Sequence, residues 1–357
     1  MTLIIAEAGV NHNGDENIAL ALVEAAHRAG ADIVKFQTFK AKHLVTAQAQ
    51  QASYQVKNTQ KQESQLAMLE RLELSYQAHV RLKQRCSELG IEFLSTAFDL
   101  ESLDFLVHDL GIERLKIPSG ELTNSPLVLA HAQAGCQLIV STGMATLDEI
   151  KQCLSVIAFG LLHKTQTAPT EQQLLNAYNS EQGQALLQQY VTVLHCTTEY
   201  PAPFNEINLK AMVSMARDLK LPVGYSDHSE GFVVPIAATA LGAQIIEKHF
   251  TLDKQMPGPD HKASIEPEEL TAMVQAIKQT NQSLGDGIKQ PQPSEWANIA
   301  VARKSLVAKT AIQQGECFNE HNLEIKRPGS GVSPTKYWQY LGRAANKTYQ
   351  AGDLIAE

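Results

Sequence analysis

The chain is short of cysteine pairs, long apolar runs and basic tracts. Its five cysteines, Cys86, Cys136, Cys153, Cys196 and Cys317, are odd in number and far apart, and no C-x-x-C pair occurs among its 357 residues. That spacing argues against a disulfide framework and a zinc knuckle, and it fits a reducing, cytoplasmic setting. No apolar run approaches the roughly 18 residues that a membrane span needs, so no membrane partner is expected. Residues 1–7 carry no basic segment and reach a carboxylate at Glu7, which is not the pattern of a signal peptide. The balance of 30 basic and 38 acidic residues leaves a net charge of −8. No basic tract is interleaved with aromatics, and nucleic acid is not an expected partner. No G-x-G-x-x-G follows the first apolar run, which disfavours a dinucleotide-binding sheet. What remains is an ordinary globular composition, 44% hydrophobic and 19% charged, enough for one large domain and a small one.

Short apolar runs alternate with helical patterns up to about residue 285. Strand-like runs fall at 3–7, 32–37, 92–96, 114–118, 137–141, 191–195, 222–226 and 245–249. Most are near-continuous Val/Ile/Leu stretches, as expected of parallel strands covered on both faces. The first helix is capped by Asp15, stops at Gly30, and places Ile18, Leu22, Ala25, Ala26 and Ala29 on one face. Further helices are expected at about 76–89, 100–110, 146–157, 232–241 and 267–283. Eight β/α alternations predict a closed (β/α)₈ TIM barrel over 1–284, with an open doubly wound sheet as the alternative. The long connection 38–75 reads as a rim or lid on the catalytic face, and 158–190 as extra helix. A Gly/Pro/Ser linker at 285–297 leads to a small β-rich module over 298–357, with two similar turns at Gln314-Gly315-Glu316 and Ala351-Gly352-Asp353.

Catalytic groups of such a barrel sit at the carboxyl ends of its strands. Those ends carry Glu7; Lys35 and Gln37; Thr96; Lys116, Ser119 and Glu121; Ser141 and Thr142; His195 and Tyr200; Ser226, Asp227 and His228; Glu247 and His249. A lysine inside an apolar strand is costly unless paired or serving an anion. Lys35 and Lys116 therefore point either to a phosphate- or carboxylate-bearing substrate or to ion pairs with Glu7 or Glu247. Ser119-Gly120, Ser141-Thr142-Gly143 and Ser226 add small hydroxyls with backbone that an oxyanion can approach. His228 and His249 end neighbouring strands about 4.8 Å apart, so both imidazoles can reach one octahedral Mn²⁺-type ion, or act as an acid–base pair. His12 and His195 are weaker candidates, the latter equally readable as a core histidine bonded to backbone. Asp260, in the rigid turn Met256-Pro257-Gly258-Pro259-Asp260-His261, either aims a carboxylate over the barrel mouth or caps its loop.

Several motifs together resemble the sialic acid synthase family, including legionaminate and pseudaminate synthases. They are Ala6-Glu7-Ala8-Gly9-Val10-Asn11-His12-Asn13-Gly14, Val34-Lys35-Phe36-Gln37-Thr38, Leu94-Ser95-Thr96-Ala97-Phe98-Asp99, Lys116-Ile117-Pro118-Ser119-Gly120-Glu121, Ser141-Thr142-Gly143-Met144, His195-Cys196-Thr197-Thr198-Glu199-Tyr200-Pro201, Tyr225-Ser226-Asp227-His228, Glu247-Lys248-His249-Phe250-Thr251 and Lys326-Arg327-Pro328-Gly329. The resemblance implies a barrel followed by an antifreeze-like (SAF, β-clip) module in a domain-swapped homodimer. It implies condensation of phosphoenolpyruvate with an N-acylated amino sugar and water, releasing phosphate. By resemblance, His228 and His249 hold Mn²⁺, with Mg²⁺ or Co²⁺ as alternatives. Lys35, Lys116, Ser119, Ser141, Thr198 and Ser226 contact phosphoenolpyruvate, although some members carry asparagine at the Thr198 position. Glu7, Gln37, Thr96, Glu121, Tyr200 and Asp260 face the sugar, and Arg327 reaches it from the partner. Glu121 is the first expectation for proton transfer and Glu7 the second. The expected sugar is N-acetylmannosamine, giving N-acetylneuraminate. A 2,4-diacetamido-2,4,6-trideoxy hexose, giving legionaminate or pseudaminate, is the alternative. A phosphorylated aldose would need a second basic cluster, which the strand ends lack, and a sugar- or ice-binding role would leave the charged barrel mouth without purpose.

Overall fold

The computed structural model describes residues 2–59 and 61–357; Met1 and Gln60, inside the expected barrel domain, lie outside the described residues. The chain divides into two compact units, one ending at Gly285 and the other running from Asp286 to Glu357. Each has its own apolar core.

In the first unit eight parallel strands close on themselves: β1 Leu3–Gly9, β2 Ile33–Thr38, β3 Glu92–Ala97, β4 Arg114–Ile117, β5 Gln137–Ser141, β6 Val191–His195, β7 Val223–Asp227 and β8 Ile245–His249. Closure is the pairing of β1 with β8, from Leu3 opposite Ile245 to Glu7 opposite His249. Alternation along each strand separates two environments. One set of positions, Ile4, Val34, Phe93, Leu115, Leu138, Val193 and Ile246, joins the helices in the main core. The other set, Ile5, Ile33, Leu94, Ile139, Leu194 and Ile245, forms a separate apolar plug inside the barrel. Two residues further along, the same inward positions carry Glu7, Lys35, Thr96, Ser141, Cys196 and Glu247. The apolar plug thus seals the barrel beneath a layer of polar side chains.

The helices follow local signals. Asp15 accepts from the Asn17 amide to cap Glu16–Ala29, and Gly30 ends it at φ 80°. Its buried face includes Ala19 and Val23, whereas Ile18 is only half-buried. Helices also form at Tyr76–Leu89, Leu147–Leu162, Val233–Ala240 and Pro267–Ser283; the one starting at Leu100 ends at Asp104 and widens into a π-turn over Phe105–Asp109. Two further helices, Ser125–Gln133 and Lys210–Leu219, lie outside the sequence reading. The first is apolar on nearly every face and shows no stripe, and the second has no capping side chain. The connection 38–75 contains short helices at Ala41–Leu44, Ser53–Thr59 and Gln65–Leu72, and 158–190 contains Glu171–Asn179 and Glu181–Tyr190.

In the second unit the stretch read as linker contains a turn at Pro293–Glu295, and the helix Trp296–Ala302 starts within it. Strands β9 Ser305–Ala308 and β10 Leu323–Lys326 pair antiparallel, and single bridges tie Val307 to Leu354 and Ile312 to Tyr349. The two expected turns pivot on Gly315 and Gly352, both at positive φ. Among the described residues no helix is long and apolar enough to cross a membrane.

Candidate active site

The inward residues above the plug line a cavity of about 250 Å³ at the carboxyl ends of the strands. Glu7, Lys35, Gln37, Thr96, Lys116, Ser119, Ser141, Thr198, Tyr200, Ser226, His228, His249 and Asp260 all line it. The strands therefore gather almost every residue that the sequence singled out.

Two lysines and two glutamates form its floor, all of them buried. Lys116 Nζ donates to both oxygens of Glu247, at 2.8 and 3.0 Å. Lys35 Nζ lies 2.5 Å from Glu7 Oε2 and 3.6 Å from Glu247 Oε2, and donates to Thr96 Oγ1 at 3.2 Å. Ser226 Oγ donates to Glu247 Oε1 at 2.9 Å. The ion pairs allowed by the sequence are thus present, inside the cavity. Burial works against the charge of Lys35, but Glu247 and Glu7 outweigh it and raise its pKa. Burial lowers that of Lys116, with only partial compensation from Glu247. Burial would raise Glu247, yet Lys116 and Lys35 hold it well below the usual carboxylate range. For Glu7 burial prevails over the Lys35 ammonium and pushes the pKa up to about 7.

The hydroxyl cluster is built by close approach. The Gly143 amide donates to Ser119 Oγ at 2.9 Å, and Cys196 Sγ lies 3.3 Å from the same oxygen. A Cβ at Gly143 would stand 2.1 Å from Thr198 Oγ1 and 2.9 Å from Ser119 Oγ, so any larger residue would displace these hydroxyls. The hydroxyls of Ser141 and Thr198 are buried without a hydrogen-bond partner, donors left for something that enters the cavity.

The His228 and His249 rings are 5.5 Å apart. His228 Nδ1 donates to the Thr197 carbonyl at 2.6 Å, which leaves Nε2 as the lone-pair nitrogen, 3.2 Å from Tyr200 Oη. His249 Nδ1 is buried with no partner. Burial lowers both pKa values, His228 to about 4, so both rings are neutral, the form that binds metals. Among the described residues no group of three or more His, Cys, Asp or Glu is placed to hold an ion. Two neutral imidazoles this close are a donor set that suits a divalent cation.

Four expected residues lie elsewhere or face away, one of them Thr142, whose hydroxyl donates to the Leu194 carbonyl at 2.9 Å. Glu121 ends the 3₁₀ turn Ser119–Glu121, is not among the cavity-lining residues, and accepts from Asn124 Nδ2 at 2.7 Å. Arg327 belongs to the second unit, where its Nε donates to the Ala302 carbonyl at 3.1 Å. Asp227 faces away from the barrel axis and pairs with buried Lys248 at 2.6 Å. Of the weaker candidates, His195 Nε2 bonds the Ile207 carbonyl at 2.7 Å, as a core histidine does, and His12 is buried and accepts from the Gly14 amide. The sequence reading did not anticipate Cys196, Phe98, Gln55, Met68, Leu69 and Leu72 in the cavity wall; it placed Glu247 at a strand end and as an ion-pair partner, without a role toward substrate. Glu247 was legible from its spacing, two residues before His249 on the same strand face.

A closed parallel barrel with buried cations, unspent hydroxyls and two neutral imidazoles at its mouth is an enzyme scaffold for anionic substrates. Comparison with known proteins narrows the class. The NeuB family matches residues 22–289 and the SAF domain residues 303–357. An N,N'-diacetyllegionaminic acid synthase of Campylobacter jejuni is 50% identical over 356 residues, covering 100% of this chain and 99% of the relative. One of Legionella pneumophila is 42% identical over 352 residues, covering 99% and 92%. A solved sialic acid synthetase from Leptospira borgpetersenii, in complex with citrate, superimposes with a TM-score of 0.67 at 31% identity, over 84% of this chain and 90% of that one. The chain belongs to the NeuB family, the sialic acid synthases, and is a carbon–carbon bond-forming synthase.

Proposed function

We propose that the chain condenses phosphoenolpyruvate with a 2,4-diacetamido-2,4,6-trideoxy hexose and water, releasing phosphate and a legionaminate-type nonulosonic acid. The observation that carries this is the 50% identity, over essentially the whole of both chains, to a synthase of that name. It favours the diacetamido sugar over N-acetylmannosamine, the sugar expected first.

Lys35, Lys116, Ser119, Ser141, Thr198 and Ser226 hold phosphoenolpyruvate, with the unpartnered hydroxyls of Ser141 and Thr198 as donors to its oxygens. Gln37, Thr96, Tyr200 and Asp260 face the sugar. His228 and His249 hold a divalent cation, Mn²⁺ first with Mg²⁺ or Co²⁺ as alternatives; when bound, it supplies Lewis-acid polarisation of the aldehyde oxygen. Carbon 3 of the enol attacks the aldehyde carbon, and the aldehyde oxygen takes a proton. Water adds at carbon 2 and loses a proton; the carbon–oxygen bond to phosphate then breaks as the new hydroxyl becomes the ketone and its proton passes to the departing phosphate. Glu7, with a pKa near neutrality inside the cavity, is the proton-transfer group this geometry supports. Glu121 is less suited, because it lies off the cavity and is engaged by Asn124. The proposal includes a cytoplasmic homodimer whose SAF modules are exchanged, so that Arg327 meets the partner's sugar.

The test is phosphate release from phosphoenolpyruvate with each sugar in turn, before and after chelation. The diacetamido sugar should give the higher kcat/KM, and chelator should abolish turnover until a divalent ion is restored. Faster turnover of N-acetylmannosamine would return the reading to a sialic acid synthase, and full activity in chelator would remove the metal.

A further inference from the structure

One wall of the cavity differs from the rest. The floor and the barrel side are mostly lysine, glutamate, serine, threonine and histidine, whereas the rim side is Val10, Met68, Leu69, Leu72 and Phe98, with Gln55 beside them. Leu69 and Phe98 are half-buried; Val10, Met68 and Leu72 are buried behind them in an apolar cluster separate from the barrel core. Phe39 buttresses Phe98 edge-on, with ring centroids 6.2 Å apart. The one soft polar atom of this wall, Met68 Sδ, already accepts from Gln51 Nε2 at 3.3 Å. These five side chains therefore offer no free donor or acceptor to a ligand and exclude water from whatever part of it they meet.

Phosphoenolpyruvate is anionic at both ends and is matched by the cationic floor, so the wall is left to the sugar. An acetamido methyl comes with an amide that needs partners of its own. The methyl at C6 of a 6-deoxy sugar has no polar atom. We infer that the wall formed by Leu69 and Phe98, backed by Val10, Met68 and Leu72, is the specificity element that receives the C6 methyl and disfavours a C6 hydroxymethyl. The inference rests on the diacetamido-sugar reading above and adds the residues that make the choice. A hydroxyl placed against this wall loses its water without gaining a partner, and discrimination of this kind runs to about 10–100-fold.

The experiment compares two sugars that differ by one oxygen: the 2,4-diacetamido-2,4,6-trideoxy hexose and its 6-hydroxylated counterpart, with N-acetylmannosamine as a third substrate. Wild type should prefer the 6-deoxy sugar by at least about tenfold in kcat/KM. Leu69→Gln keeps helix propensity and length while adding a donor and an acceptor, and should bring that ratio to within a few-fold of one. Leu69→Met should leave it intact. Phe98→Tyr, which adds one hydroxyl at the wall, should move the ratio in the same direction as Leu69→Gln and covers the case in which that variant is unstable. If both polar variants slow the two diacetamido sugars equally, the inference is overturned while the diacetamido reading stands. If wild type turns over N-acetylmannosamine and neither diacetamido sugar, both are overturned together.

Discussion

Asp260 shows how a single side chain carries the tension of this site. It is reached by a turn of two prolines and a glycine, lines the cavity, and is pushed up to about 6 by burial alone. Its unfolded value is 3.8, so folding is unpenalised below about pH 4 and loses stability as pH rises from there to about 6. A shift of this size is worth about 3 kcal/mol above pH 6 and roughly half that at pH 5. Asp260→Asn stays neutral throughout. It should therefore be more stable than wild type at pH 8, by a margin that shrinks by about 1.4 kcal/mol at pH 5, and it should turn over poorly at both. Urea titrations at the two pH values measure this. A margin that does not change with pH would mean that the carboxylate is well solvated or paired in solution. The same residue-scale reasoning separates Glu7 from Glu121. Alternation along β1 holds as far as Glu7, before the register shifts between Glu7 and Gly9, and puts Glu7 in the barrel, whereas β4 stops at Ile117, and Pro118 and a 3₁₀ turn then break the period on which the reading of Glu121 depended.

Strand β7 is held against its neighbours at Gly224, an inward position where a Cβ would lie 2.4 Å from the Ile245 carbonyl oxygen and 2.7 Å from Leu194 Cδ2. The obstacles are β8 backbone and the apolar plug, neither free to give way. Gly224→Ala should cost about 1–3 kcal/mol, read from denaturant midpoints, as overpacking does, and should also lower turnover because Ser226 rides on the same strand and His228 directly follows its end. An unchanged midpoint would mean that the barrel has slack at this level. Elements of this kind were readable beforehand: each of the eight barrel strands falls on a strand-like run, most of them near-continuously apolar, and period-two alternation beyond the plug delivered most of the site. The helix Ser125–Gln133 was not, because a segment apolar on almost every face has no periodic contrast. Nor was the rim. Gln65–Leu72 shows a half-apolar pattern, but nothing local says that Leu69 will wall a cavity built from strands. That outcome depends on where the connection docks, a tertiary fact with no sequence period.

At the scale of the whole molecule the two cores set the expectation. The second unit closes around Leu306, Ile312, Phe318, Leu323, Val332, Tyr340, Tyr349 and Ile355, a cluster distinct from the core of the barrel. Two cores of such different size should unfold as two cooperative steps. At about 0.7 kcal/mol of enthalpy per residue, the step of the second unit should absorb about 50 kcal/mol against about 200 kcal/mol for the barrel. Ile312 is fully buried in the small core and Ile246 in the large one. Ile→Val at such sites costs about 0.5–1.5 kcal/mol. In a unit of this size that loss moves the midpoint by about 4–8 °C per kcal/mol, and by half or less in the barrel. Ile312→Val should therefore displace the smaller calorimetric transition by several degrees and leave the larger one in place, and Ile246→Val should do the reverse with a smaller displacement. A single transition that shifts with either substitution would show that barrel and SAF module unfold as one cooperative body despite their separate cores.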